Sequence, residues 1–276
     1  MKVAPNGYCG LPVPPWMTSL TMLETLFPGG LTHDTLLSGR VNLAQPKGGY
    51  RVAIDPVMLA ASVQAQPDET IADLGCGTGA VAFCLAARLD TCRVTGLELQ
   101  PDLVELASAN VAANGLDARV QIVPGDVSSP PFEPGSFDHV AMNPPYLAAS
   151  RATAPPERLR RVAAVEGEAQ LDRWLQTAWE LVRPGGTISL VHRADRLDEI
   201  LVGFRGLQSG GVVAIPLWPK AGVDARRVLV RCRKGDASPF RLQAGLVLHK
   251  QDGSYTSAAT KILRDGAPLD EALASL

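Results

Sequence analysis

From about residue 70 onward, apolar and polar positions alternate in blocks that predict a repeated strand–helix order. Apolar, β-branched runs near 70–74, 93–99, 120–123, 137–142 and 187–192 read as strands. The stretches between them carry helical periodicity, as in Ala80–Leu89 and Leu171–Val182, the latter followed by Pro184-Gly185-Gly186. This order builds a parallel sheet with helices on both faces. Val212–Leu217 and Arg227–Arg231 read as two last strands, an antiparallel pair at one edge, for seven mostly parallel strands in all. Ahead of the first sheet strand, Leu36–Ala44 and Gly49–Ile54 read as short strands and Pro56–Val63 as a helix, together a cap over the ligand that such a sheet binds. Leu246–Lys250, the Asp252-Gly253 turn signal and Tyr255 predict a small hairpin, and Thr256–Leu263 a final helix. Met17–Phe27 reads as a short helix closed by Pro28-Gly29-Gly30, behind a Pro- and Gly-rich start. The chain thus divides into an N-terminal arm over 1–30, one α/β domain over 31–266 and a tail over 267–276.

The run Ile71-Ala72-Asp73-Leu74-Gly75-Cys76-Gly77-Thr78-Gly79 joins the first sheet strand to an Ala-rich helix. Glycine accepts positive φ and lets backbone lie against a ligand, so this turn is built for close approach. Dinucleotide-binding turns use G-x-G-x-x-G and set helix-start amides on a pyrophosphate. Here the spacing is G-x-G-x-G, and Asp73 stands two residues before the first glycine. A carboxylate there repels a pyrophosphate but holds the ammonium of a methionine tail. Glu98 ends the second strand, 19 residues past Gly79, where a ribose diol is bound in sheets of this kind. Leu99 follows it. Asp126, after the third strand, can accept from an adenine amino group, with Val127 against the ring. The three acids stand at the carboxyl ends of successive strands, where open α/β sheets bind ligands. The fourth strand delivers Asn143-Pro144-Pro145-Tyr146.

This layout resembles the class I S-adenosyl-L-methionine (SAM)-dependent methyltransferases, a Rossmann-like fold, and within them the group that methylates exocyclic amines or amides. The resemblance implies SAM as cofactor, held by Asp73, Gly75, Cys76, Gly77, Gly79, Glu98, Leu99, Asp126, Val127 and Asn143. It implies that the Asn143 side-chain carbonyl and the Pro144 carbonyl accept the two N–H bonds of the target while Tyr146 stacks on a flipped base. The chemistry needs such acceptors, because the lone pair of an exocyclic amine is conjugated into its ring. Acceptors off the ring plane turn that lone pair toward the methyl donor. Further stretches, Asp34-Thr35-Leu36-Leu37, Gly49–Pro56, Arg158–Arg161 and Leu248–Thr256, resemble the bacterial tRNA(Val) adenine-N6 methyltransferase family across roughly residues 33–266. The Pro-rich arm and Cys76 in the glycine turn depart from that family.

The net charge of −2 hides an asymmetry. Residues 1–145 hold 7 basic and 14 acidic side chains, whereas 146–235 hold 15 and 9. The positive segment points to a polyanionic partner, a tRNA, with Arg158, Arg160, Arg161, Arg226 and Arg227 as phosphate contacts and Arg151, Arg231, Arg233 and Lys234 as further candidates. Five cysteines without a C-x-x-C pair argue for a reducing cytoplasm and against a disulfide frame or zinc site. No apolar run is long enough to span a bilayer, and no metal is implied. Asn-Pro-Pro-Tyr also serves glutamine-amide methylation of release factors and guanine-N2 methylation of ribosomal RNA, since an amide NH₂ poses the same conjugation problem. A SAM-binding module without catalysis is a further alternative from another class, and a nicotinamide oxidoreductase is disfavoured by the glycine spacing. His33, His139, His192 and His249 are scattered and take no chemical role.

Overall fold

The computed structural model describes residues 23, 26–48, 51–145 and 171–274 of the 276-residue chain. Its first elements are β1 (Leu31–Leu36) and β2 (Val41–Pro46), an antiparallel hairpin separate from the main sheet. The single strand expected over Leu36–Ala44 is therefore broken. Leu37, Ser38 and Gly39 all take positive φ and reverse the chain between the two strands. No strand forms over the described part of Gly49–Ile54 either, since the Val52 N–H donates to the Gln45 side chain at 2.9 Å. Gly49 and Tyr50 lie outside the described residues, as do most of Met17–Phe27.

The α/β core runs α1 (Asp55–Ser62), β3 (Thr70–Leu74), α2 (Ala80–Arg88), β4 (Arg93–Glu98), α3 (Pro101–Ala113), β5 (Val120–Pro124) and β6 (Phe137–Met142). After the undescribed 146–170 come α4 (Leu171–Leu181), β7 (Val182–Arg193), α5 (Leu197–Gly206), β8 (Val213–Lys220) and β9 (Arg227–Arg233). The chain ends with β10 (Arg241–Leu242), β11 (Leu246–His249), α6 (Ser257–Thr260), a π-helical turn (Lys261–Asp265) and α7 (Leu269–Ala274).

Seven strands stand in the order β5-β4-β3-β6-β7-β9-β8. β9 is inserted between β7 and β8 and runs antiparallel to both; the other strands are parallel to one another. The sheet is widened to nine strands because β10 and β11 both pair in parallel with the outer edge of β8, covering backbone groups an edge strand would leave open. The expected terminal hairpin is thus mainly a parallel strand, with one antiparallel bridge between His249 and Tyr255. The expected last helix is a short α-turn, capped by the Thr256 hydroxyl accepting from Ala259 N–H, that widens into the π-turn. α7 follows, burying Leu269 and Ala272 in the core.

Two cores flank the sheet. On one face α1 and α2 are buried on nearly all sides, which their Ala-rich sequences allow. On the other, α4 buries Leu171, Trp174, Leu175, Ala178 and Leu181, one apolar stripe at helical spacing. The hairpin is pinned by two asparagines one turn apart, Asn110 on α3 and Asn114 directly after its end. Asn110 bonds both the N–H and the carbonyl of Ala44, and Asn114 does the same to Asn42. No helix among the described residues is long and apolar enough to cross a membrane. Cys76, Cys84, Cys92 and Cys232 are buried free thiols, and Cys9 lies outside the described residues.

At the amino ends of the central strands, Asp138 accepts from Thr70 N–H and Oγ1, each at 2.8 Å, and from Arg183, which also reaches Glu69. His139 is held between Glu69 and Thr187. Burial works against the Asp138 charge, yet these donors outweigh it and hold the carboxyl down to about 2. Because the folded value lies below the usual 3.8, the carboxylate adds stability above pH 3.8 that is lost as pH falls toward 2. Asp138→Asn is expected to cost about 2 kcal/mol at pH 7, and the wild-type advantage should shrink between pH 4 and 2 in urea unfolding.

Candidate active site

The parallel register decides what meets at the carboxyl edge of the sheet. Leu74 on β3 faces Met142 on β6 and Leu97 on β4, and Glu98 faces Pro124 on β5. Gly75 and Asn143 are the first residues after the ends of β3 and β6, Glu98 closes β4, and Asp126 lies just beyond β5. Four segments far apart in sequence are brought to one rim, and the glycine turn lies at its centre.

The turn is left-handed at Gly75, Gly77 and Gly79, with φ of 65°, 56° and 92°. The three glycines serve different ends. A Cβ on Gly75 would stand 2.5 Å from the Trp174 ring, and one on Gly79 2.3 Å from Phe83, so these two let core aromatics press against the backbone. A Cβ on Gly77 meets nothing within 4 Å, so this glycine faces open space. Gly96 plays a matching part, since a Cβ there would lie 2.7 Å from Cys76 Sγ. Burial pushes the Cys76 thiol well up, which keeps it a neutral packing group.

Two carboxylates brace the turn from within. Asp73 is 1% exposed and accepts from Ala82 N–H at 3.2 Å in the first turn of α2. Burial raises its pKa to about 8, the Ala82 bond offsets this only in part, and the Glu98 charge adds to the rise. Glu98 accepts from Gly77 N–H at 2.8 Å and Gln100 N–H at 2.9 Å, and burial raises its carboxyl too. Cys76 N–H donates to the Leu97 carbonyl at 2.9 Å. Asn110 extends its amide to the Thr78 carbonyl at 3.1 Å, linking the turn to the hairpin.

Among the other sequence-predicted residues, Leu99 is two-fifths exposed on the rim, and Asp126 is exposed, accepting from Ser128 N–H at 2.7 Å. Val127 is buried, and its carbonyl accepts from Thr177 at 2.8 Å. Asn143 is half-buried and Pro144 buried at the end of β6. Tyr146, Arg151, Arg158, Arg160 and Arg161 lie outside the described residues. Arg226 is exposed, whereas Arg227 donates to buried Asp55 at 2.9 Å and Arg231 pairs with Asp270. Arg233 donates to the Gly185 carbonyl and Lys234 to those of Trp179 and Val182, so these side chains serve the fold first.

Sequence reasoning missed three supports. Thr78 Oγ1 is buried and makes no hydrogen bond among the described residues, although its place inside the glycine turn was legible. Asn110 and Trp174 are tertiary partners from distant helices, and no local pattern marks them.

A methyltransferase-domain family model matches residues 71–167. Over 231 residues the chain is 30% identical to the tRNA1(Val) (adenine(37)-N6)-methyltransferase of Porphyromonas gingivalis, covering 79% of this chain and 88% of that relative. It is 29% identical to the release factor glutamine methyltransferase of Chlorobaculum tepidum over 152 residues, 52% of each protein. The crystal structure of a predicted O-methyltransferase from Agrobacterium tumefaciens, 27% identical, superposes with a TM-score of 0.63 over 75% of this chain and 94% of that one. With 30% identity to a relative covered over 88% of its length, the chain belongs to the tRNA1(Val) (adenine(37)-N6)-methyltransferase family.

Proposed function

We propose that this enzyme moves a methyl group from SAM to the exocyclic N6 of an adenosine in a tRNA anticodon loop, with Asn143 and Pro144 gripping the amino group. The observation that carries the reading is the register: Leu74 pairs with Met142, so Asn143 and Gly75 are the first residues to leave two adjacent parallel strands at the same edge. Acceptors for an NH₂ group and the glycine turn thus start from strands that lie about 4.8 Å apart.

The turn fits the cofactor on its own terms. Gly77 faces open space, Thr78 Oγ1 is a buried hydroxyl lacking a partner among the described residues, and Asp73 is a buried carboxyl whose charge Glu98 further disfavours. When bound, SAM supplies a sulfonium-activated methyl. Asp73 holds the cationic amino-acid end, Glu98 accepts from the ribose hydroxyls, and Asp126 accepts from the cofactor adenine while Val127 packs on it. Asn143 and Pro144 polarise the target N–H bonds and free the nitrogen lone pair, so no strong base is needed before the methyl arrives. Tyr146 closes the motif as the ring that stacks on the target base.

A glutamine amide presents the same NH₂. The positive balance of residues 146–235 and the similarity to the tRNA enzyme over 79% of the chain, against 52% for the glutamine enzyme, support RNA. Labelled SAM offered with separate pools of tRNA, ribosomal RNA, DNA and release factor tests the assignment: label is expected in tRNA, as N6-methyladenosine by mass spectrometry. Label in release factor alone would sink it.

Three further outcomes are expected. Asn143→Ala should bind SAM normally yet turn over on the order of 100-fold more slowly, because it loses stabilisation present only in the transition state. SAM affinity of the wild type should rise with pH up to about 8 and then level, since the raised Asp73 pKa means binding a cation expels a proton. Calorimetry in buffers of different ionisation enthalpy reads that proton, and Asp73→Asn should abolish its release. Gly75→Ala should lower thermal stability through the Trp174 collision, while Gly77→Ala, which meets nothing in the fold, should instead weaken SAM binding beyond its backbone cost of about 1 kcal/mol.

A further inference from the structure

A cleft of about 380 Å³ opens beside the catalytic rim, and no step above uses it. Its walls include Leu36 and Ser38 from the hairpin tip, Ile54 at the head of α1, and Tyr255, Leu263 and Arg264 from the C-terminal segment. Ile54 adjoins Asp55, the partner of Arg227, and this places the cleft next to the rim. The volume is in the range of small-molecule sites, roughly 300–1,000 Å³. Among the described residues that line it none is acidic, in a chain that holds 28 acids.

Three unusual features converge there. Leu37 and Ser38, neither of them glycine, hold φ of 51° and 55°, conformations that cost energy and gather at ligand sites. Leu263 and Arg264 come from the π-helical turn, a rare geometry frequent at functional sites. Tyr255 is 39% exposed, and its ring stacks on His249 at 4.7 Å with an interplanar angle of 27°. That stack is backed by a tight turn in which Lys250 N–H donates to the Ser254 carbonyl and Asp252 accepts from Ser254. Six arginines, among them Arg51, Arg183 and Arg231, pair with carboxylates, whereas Arg264 is exposed with no partner among the described residues. Exposed Lys250 adds positive charge, and Lys220 stands opposite His249 across the β8–β11 pair.

Topology puts this platform on the same edge as the methyl-transfer chemistry. β11 runs parallel to β8, so its end at His249 points to the carboxyl rim that carries Asn143. Four strand spacings separate β6 from β11, roughly 20 Å at about 4.8 Å each, within reach of one folded RNA loop and its stem.

We infer that the cleft takes one nucleotide of the RNA substrate other than the target adenosine, its base on the exposed face of Tyr255 between Leu36 and Leu263 and its phosphate at Arg264. The inference rests on the tRNA reading above and adds a second holding point on that RNA. A planar ring against an aromatic face and a phosphate against a free guanidinium account for an acid-free cleft with one aromatic wall and one cation.

The test uses the full chain with a fluorescein-labelled anticodon stem-loop RNA for binding and the intact tRNA for kinetics. Tyr255→Ala is expected to raise the RNA Kd and KM about 10-fold with kcat and SAM affinity unchanged, while Tyr255→Phe stays within about twofold. Arg264→Ala should flatten the log–log salt dependence of binding by about one charge. If Tyr255→Ala proves unstable, the exposed Arg264→Ala carries the test. Adenosine monophosphate, titrated separately, distinguishes a free nucleotide from one carried on RNA. Wild-type enzyme that fails to methylate tRNA would overturn the tRNA reading itself. Methylation by the wild type with KM and salt slope unaltered in the variants would overturn this inference alone, and so would monophosphate binding lost in Tyr255→Ala while RNA affinity is untouched.

Discussion

Three left-handed residues within five form the bend between β3 and α2, and the active site depends on that bend being held in shape. A chain of ordinary L-residues would not stay there, so the conformation has to be paid for by its surroundings. Trp174 and Phe83 fill the space that side chains on Gly75 and Gly79 would take. Asp73 fastens the start of α2, Glu98 fastens Gly77, and Asn110 fastens Thr78. The turn is thereby tied to both neighbouring layers and to the hairpin.

The same bonds explain an electrostatic imbalance. Burial disfavours the charge of both Asp73 and Glu98, Glu98 adds to this at Asp73 and Asp102 adds to it at Glu98, and the turn contributes N–H groups but no side-chain cation. Carboxylates in such a place are costly for the empty protein. In the proposed mode of binding, a cationic ligand would offset that cost. At the opposite end of the sheet the logic reverses: Asp138 sits among Thr70 and Arg183, and its charge supports the fold. One edge is organised for stability and the other for binding, a division that parallel sheets make natural because all carboxyl ends point the same way.

The far side of the sheet adds to this plan. Inserting β9 between β7 and β8 brings the start of β9 and the ends of β7 and β8 to the catalytic edge. Arginines that a linear view assigns to RNA take on different duties there. Arg227 is committed to buried Asp55, while Arg226 next to it stays exposed. Pairing β11 onto β8 then carries the His249–Tyr255 stack to the same edge.

Much of the core was legible in the chain itself. Strands at 70–74, 93–98, 120–124 and 137–142 follow from apolar runs bounded by turn residues, and the glycine turn with acids at strand ends is readable in the same way, because these signals are local. The break at Leu37–Gly39, the loss of a strand after Gly49 and the two added strands on β8 were not legible. Left-handed leucine and serine are unfavourable locally and no pattern announces them, although the Leu37 side chain is buried in the core, and Val52 gives its N–H to a side chain seven residues back. Likewise, no local rule announces that Trp174 presses on Gly75, or that Asn110 joins the turn to the hairpin. Residue types and their order specified which chemistry was available; strand register and burial decided which of those groups stand within reach of one another.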